Sequence, residues 1–128
     1  MQFEKRTALV TGGARGIGRE CCLRLAEQGA RVVVNFRKNE ASADATVRTI
    51  VDAGGLAIAI GGDVSDESQV ARLVERAVGH FGPVDLLVNN AGIFDYIAHN
   101  ETTLAIWKRT MDVNLTGVYL VTWAVKDS

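Results

Sequence analysis

The stretch Val10-Thr11-Gly12-Gly13-Ala14-Arg15-Gly16-Ile17-Gly18 decides the fold, because four of its nine residues are glycine and it joins two different hydrophobic patterns. The apolar run Ala8-Leu9-Val10 enters it as a buried strand would. A helical spacing leaves it: Ile17, Cys21, Cys22, Leu25 and Ala26 mark one face, and Gly29 ends the pattern. Glycines between a strand and a helix let backbone approach a phosphate where no Cβ intervenes. The helix N-terminus then aims unpaired N–H groups and a partial positive charge at the anion. The other reading is an ordinary tight turn with close helix–strand packing. No Gly-Lys-Ser/Thr sequence closes the stretch, so it is not a P-loop.

The same alternation continues along the chain. Val32-Val33-Val34 is β-branched and continuous, as expected of a strand buried on both faces. Ala43, Val47, Ile50 and Val51 form a second helical stripe ended by Gly54-Gly55, and Leu56 to Ile60 reads as a third strand. Val70, Leu73, Val74, Ala77, Val78 and Phe81 fall at helical spacing, and Asp66-x-x-Gln69 resembles a capping box at the start. After Gly82-Pro83, Val84 to Val88 reads as a fourth strand broken by Asp85. A loop follows Asn89-Asn90-Ala91-Gly92, then helical sequence from about Thr103 to the end, whose last part, Val113 to Val125, is apolar nearly all round and is expected to be buried on both sides. The order β-α-β-α-β-α-β-α implies an α/β fold: a doubly wound parallel sheet with helices on both faces.

Composition narrows the function. The chain has 128 residues, 48% apolar and 23% charged, with a formal net charge of −1. That is ordinary for a globular domain, and no Lys/Arg cluster calls for nucleic acid or a membrane surface. No apolar run approaches a membrane span and the N-terminus has no secretory pattern, so a cytoplasmic location is expected. The two cysteines, Cys21 and Cys22, are adjacent. They suit neither an internal disulfide nor a zinc site, and no metal is expected.

The spacing Thr11-Gly12-x-x-x-Gly16-x-Gly18 resembles that of the short-chain dehydrogenase/reductases. Three further segments carry the resemblance in order: Asp63-Val64 after the third strand, Asn89-Asn90-Ala91-Gly92 after the fourth, and Val113-Asn114-Leu115-Thr116-Gly117 in the last helix. The resemblance implies a Rossmann-type sheet of order 3-2-1-4 and a nicotinamide cofactor. Thr11, Gly12, Gly16, Ile17 and Gly18 would form its phosphate turn, Asp63 and Val64 would meet adenine, and Asn90, Ala91 and Gly92 would face ribose or nicotinamide. Asn114 would be catalytic, its backbone carbonyl holding a water in a proton relay. In isolation, Asp63 also reads as a solvated residue leading into a helix, and the asparagines as turn formers.

Cofactor choice follows from the end of the second strand, Val34-Asn35-Phe36-Arg37-Lys38. It carries no acid for a ribose 2′-hydroxyl. Arg37 and Arg15 instead offer two guanidiniums to a 2′-phosphate, so NADP(H) is expected over NAD(H). The family's Tyr-x-x-x-Lys pair has no counterpart: Asn100 follows Tyr96 by four residues, and Trp123 follows Tyr119. Residues 1–128 therefore read as an NAD(P)-binding domain truncated before its proton-transfer segment, inactive alone. The parent is expected to be a homo-oligomeric oxidoreductase acting on an alcohol or carbonyl, acyl-carrier-bound or small, like the 3-oxoacyl-[acyl-carrier-protein] reductases of that family. Two alternatives are a non-catalytic dinucleotide-binding module or sensor, and a flavodoxin-like binder of another phosphate ligand.

Overall fold

The computed structural model describes residues 1–128. Four parallel strands form one sheet: β1 (Thr7–Val10), β2 (Arg31–Phe36), β3 (Leu56–Gly61) and β4 (Leu86–Val88), in the order β3-β2-β1-β4. Between them lie α1 (Gly16–Glu27), α2 (Glu40–Asp52) and α3 (Glu67–Phe81). A short 3₁₀ turn (His99–Glu101) precedes α4 (Leu104–Met111), a π turn (Asp112–Thr116) and α5 (Gly117–Lys126).

Strand alternation divides the core. Ala8, Val10, Val32 and Val34 face one way, toward Cys22 of α1 and Ala43 and Ile50 of α2. Leu9 and Val33 face the other, toward Val70, Leu73, Val74 and Ala77 of α3 and Val121 of α5. Successive strand residues point to opposite faces, so a strand covered on both sides must be apolar throughout. All four residues of β1 are buried. Burial pushes the Cys22 thiol up to about 12, with the neighbouring Cys21 adding to the rise.

Several boundaries and faces differ from the sequence reading, each for a physical reason. β2 runs one residue earlier and two later than the valine triplet, and β3 runs to Gly61, because Arg31↔Leu56 through Phe36↔Gly61 are in register. β4 is shorter: Asp85 Oδ2 accepts from Thr7 N at 2.8 Å, so a side chain takes the place of a ladder carbonyl just before the strand. Ile17 is not on the packed stripe of α1; it is 77% exposed. On α2, Val51 faces solvent while Thr46 is buried, its hydroxyl within bonding distance of Ala14 O at 3.1 Å.

The cap of α3 is also modified. Asp66 Oδ1 accepts from Ser68 N and Gln69 N, as a cap should. The Gln69 side chain does not return to the Asp66 N–H; its Oε1 accepts from Asp63 N at 2.9 Å. The final helix is not one uniform rod. The π turn divides it, and only one side is covered: Val113 and Val121 are buried, whereas Leu115, Tyr119 and Trp123 are at least half exposed.

Candidate functional site

The carboxyl ends of the four strands open onto a cleft of about 500 Å³. Its wall runs from Gly12, Arg15 and Gly16 past Phe36, Arg37 and Lys38, then Gly62, Asp63 and Val64, to Asn90, Ala91, Gly92 and Ile93. Ligands of open α/β sheets sit at this position, where neighbouring crossovers diverge to opposite faces.

The glycine turn is rigidly held. Thr11 Oγ1 accepts from both Asn90 N and Ala91 N at 3.0 Å, which ties the end of β1 to the segment after β4. Asn90 Nδ2 returns a bond to Gly12 O at 3.0 Å. Gly16 has φ +59°, and a Cβ there would meet nothing within 4 Å, so this residue borders open cleft. Gly18 does other work: a Cβ on it would lie 2.2 Å from Gly12 O and 2.4 Å from Asn90 Nδ2. Only hydrogen fits between helix and turn there.

The start of α1 differs from those of α2, α3 and α4. Asn39, Asp66 and Thr103 cap those helices by accepting backbone N–H bonds. Arg15 makes no side-chain cap for α1, and its first turn carries no acid. No side-chain cap meets the orphan N–H groups of this turn, and helix starts of this kind are suited to anions. Arg15 and Arg37 are exposed on the cleft wall. Neither joins any of the chain's five ion pairs.

Asp63 is more heavily engaged than its sequence context suggests. Its Oδ1 accepts from Ser65 N at 2.9 Å and from Ser65 Oγ at 2.7 Å, and its Oδ2 pairs with Arg109 Nη2 at 3.3 Å. Burial raises the Asp63 pKa, but the Ser65 bonds and the Arg109 charge outweigh it and leave the carboxyl below its usual range.

Asn114 stands inside the π turn, a rare geometry often found at functional positions. It is exposed, although the sequence around it is largely apolar. Both ends of its side chain are nevertheless used: Oδ1 accepts from Ile93 N at 2.8 Å and Nδ2 donates to Ile93 O at 2.9 Å.

Of the sequence-derived candidates, Gly12, Arg15, Gly16, Arg37, Asp63, Val64, Asn90, Ala91 and Gly92 share the cleft wall. Thr11 and Gly18 are buried behind it, Ile17 is on the surface, and Asn114 reaches the cleft through Ile93. Asn35 escaped the sequence reading. It is 1% exposed; its Oδ1 accepts from Gly12 N at 3.4 Å and its Nδ2 reaches Ile60 O and Gly62 O at 3.2 Å. One side chain thus joins the turn after β1 to the end of β3. A lone amide inside an apolar strand was its only signal.

The sequence profile described as short chain dehydrogenase matches residues 6–128. The chain belongs to this family. Among short-chain dehydrogenase relatives, it is 46% identical over 123 residues to an uncharacterized oxidoreductase of Methylorubrum extorquens, covering 96% of this chain and 50% of that one. A 3-oxoacyl-[acyl-carrier-protein] reductase of Synechocystis is 42% identical over 120 residues, covering 94% of this chain and 49% of the relative. The structure of a short chain dehydrogenase from Burkholderia cenocepacia in complex with NADP superposes with a TM-score of 0.94 at 38% identity, over 99% of this chain and 52% of that one. The chain spans about half the length of the relatives it matches. Its four strands and alternating helices are those of the Rossmann-type sheet.

Proposed function

We propose that residues 1–128 form the cofactor-binding half of an NADP(H)-dependent oxidoreductase that moves hydride between the nicotinamide and an alcohol or carbonyl substrate. The observation that carries this reading is the pairing of an uncapped α1 N-terminus with two unpaired guanidiniums, Arg15 and Arg37, along one cleft. The Gly12–Gly16 turn fits a pyrophosphate, since Gly16 leaves backbone bare toward the cleft. Arg15 and Arg37 fit a 2′-phosphate, and β2 ends without a carboxylate to repel it. Gly92, held next to Asn114 and Ile93, leaves room for the ribose and nicotinamide.

When bound, NADPH supplies the hydride; this chain orients it. Asn114 fixes Ile93, and through it the backbone beside the site of reaction. A 3-oxoacyl thioester is the substrate class favoured by the likeness to the Synechocystis reductase. Cytoplasmic, homo-oligomeric operation of the whole protein belongs to the same proposal.

Titration calorimetry with NADPH and NADH tests it. Tighter binding of NADPH is expected, and Arg37→Ala should weaken NADPH about tenfold or more while sparing NADH. Equal affinities would overturn the cofactor assignment. A second reading is a dinucleotide-binding module without catalysis. A polypeptide of these 128 residues is expected to bind NADPH without reducing an acetoacetyl thioester, as general acid–base transfer alone is worth about 10²–10⁴-fold. The reductase assay on a longer form of the protein separates the two readings.

A further inference from the structure

Arg109 lies on α4, far in sequence from the glycine turn, yet it closes a ring at the cleft wall. Its Nη1 donates to Ser65 Oγ at 2.9 Å and its Nη2 to Asp63 Oδ2 at 3.3 Å, while Ser65 Oγ donates to Asp63 Oδ1 at 2.7 Å. A carboxylate offers about four acceptor positions. The Ser65 N–H and hydroxyl fill those of Oδ1, and Arg109 takes one on Oδ2. One acceptor position is left, on the atom that Arg109 holds.

The same helical segment reaches a second point of the cleft. Five residues after Arg109, Asn114 clamps Ile93. In a regular α-helix, residues five apart point about 140° from each other. The wide turn beginning at Asp112 interrupts that regular spacing, and each side chain bonds a residue of the cleft wall, Arg109 to Asp63 and Asn114 to Ile93.

We propose that Arg109 is a positioning residue for the cofactor: it orients the Asp63 carboxylate so that the remaining acceptor position on Oδ2 receives the exocyclic amino group of adenine. The proposal rests on reading the cleft as a dinucleotide site. The planar guanidinium holds Ser65 and Asp63 at once, which a lysine ammonium on a flexible stem does with less geometric constraint. The consequence is selectivity for adenine, carried by a residue with no need to touch the cofactor.

The test uses two probes, NADPH and its reduced hypoxanthine analogue, in which a carbonyl replaces the adenine amino group. A site built to bond an N–H group rejects the analogue lacking it. The unsubstituted chain is expected to prefer NADPH by about tenfold in Kd. Arg109→Gln should bring that ratio near one while leaving affinity for the hypoxanthine analogue unchanged, and Arg109→Lys should restore part of it. A purely structural role would weaken both probes equally. Should Arg109→Gln fail to fold, Ser65→Ala opens the ring from its other side and is read in the same way.

A preference that survives in Arg109→Gln, or equal weakening of both probes, overturns the role of Arg109. Equal affinities in the unsubstituted chain overturn it too, and leave the dinucleotide reading standing. No binding of either probe by the unsubstituted chain removes the dinucleotide reading, and this inference with it.

Discussion

Asn114 holds Ile93 by both of its backbone polar groups, accepting from the N–H at 2.8 Å and donating to the carbonyl at 2.9 Å. The pair is 21 residues apart and joins the π turn to the segment leaving β4. It gives the side chain of Asn114 a clear task, independent of anything its backbone carbonyl does. The residues just beyond Ile93 are otherwise thinly supported: Phe94 and Tyr96 are 74% and 94% exposed and touch edge to face.

Asn114→Ala is therefore expected to loosen this segment more than it unfolds the chain. Losing two partly exposed hydrogen bonds should cost about 1 kcal/mol of global stability. Amide exchange at Ile93 should accelerate well beyond that of β1. Unchanged protection of the Ile93 amide in the variant would show that the clamp contributes nothing to the order of this loop.

Gly16 and Gly18 are two residues apart and should respond differently to alanine. At Gly18 the new Cβ would sit 2.2 Å from Gly12 O, so helix and turn must separate. A loss of about 2–3 kcal/mol is expected, as for overpacked cores. At Gly16 the Cβ enters open space, and the φ of +59° adds only about 1–2 kcal/mol of strain. Gly16→Ala should instead weaken NADPH binding, because the methyl group enters the cleft. Urea unfolding and cofactor titration on both variants check this; equal destabilisation would refute the division of labour.

What the sequence made legible is what depends on local pattern. Runs such as Val32-Val33-Val34 are buried on both faces because helices cover both, and their β-branched character shows without a structure. The glycine turn, the third- and fourth-strand ends and Asn114 stood out as motifs with fixed spacing. The unread parts depend on long-range pairing. Asn35 meets Gly12, 23 residues away, and Arg109 meets Asp63, 46 residues away. No periodicity records such contacts. Helical faces misled where an apolar residue turned outward, as Ile17 and Val51 do, while a threonine, Thr46, was buried by bonding its hydroxyl. The wide turn at Asp112–Thr116 has no compositional mark in an apolar helix.

Acid should weaken the chain through its capped carboxylates. Bonds from the Ser68 hydroxyl and the Gln69 N–H lower Asp66 from 3.8 to about 2, and Asp63 is lowered as well. A depressed folded-state value favours the charged form in the fold. Its stabilisation is complete above the unfolded value near pH 4 and is lost as pH falls through about 2. Asp66→Asn keeps a capping oxygen but removes the titration. Stability measured by denaturant between pH 5 and pH 2 should fall less steeply in this variant than in the unsubstituted chain. Parallel curves would show that Asp66 takes no part in the acid response.

Self-association is the last expected behaviour, and it follows from two exposed features. β4 stands at the sheet edge with β1 on one side only, so its outer N–H and C=O groups form a template for another strand. Near it, the outer face of the π turn and α5 presents Leu115, Val118, Tyr119 and Trp123, at 61%, 38%, 54% and 50% exposure. The Asn89 amide bonds Thr122 Oγ1 at 3.1 Å, which places that helical face beside the end of β4. Tyr119 and Trp123 lie with ring centroids 5.1 Å apart, a ready apolar surface for a second copy. Light scattering at micromolar concentration is expected to show dimers or larger species. The double substitution Tyr119→Lys, Trp123→Glu should shift them toward monomer without lowering the melting temperature, since neither side chain is buried in the core. Association that persists unchanged in this variant would assign it to the β4 edge, and a monodisperse 13.8 kDa monomer before substitution would show that neither surface drives assembly.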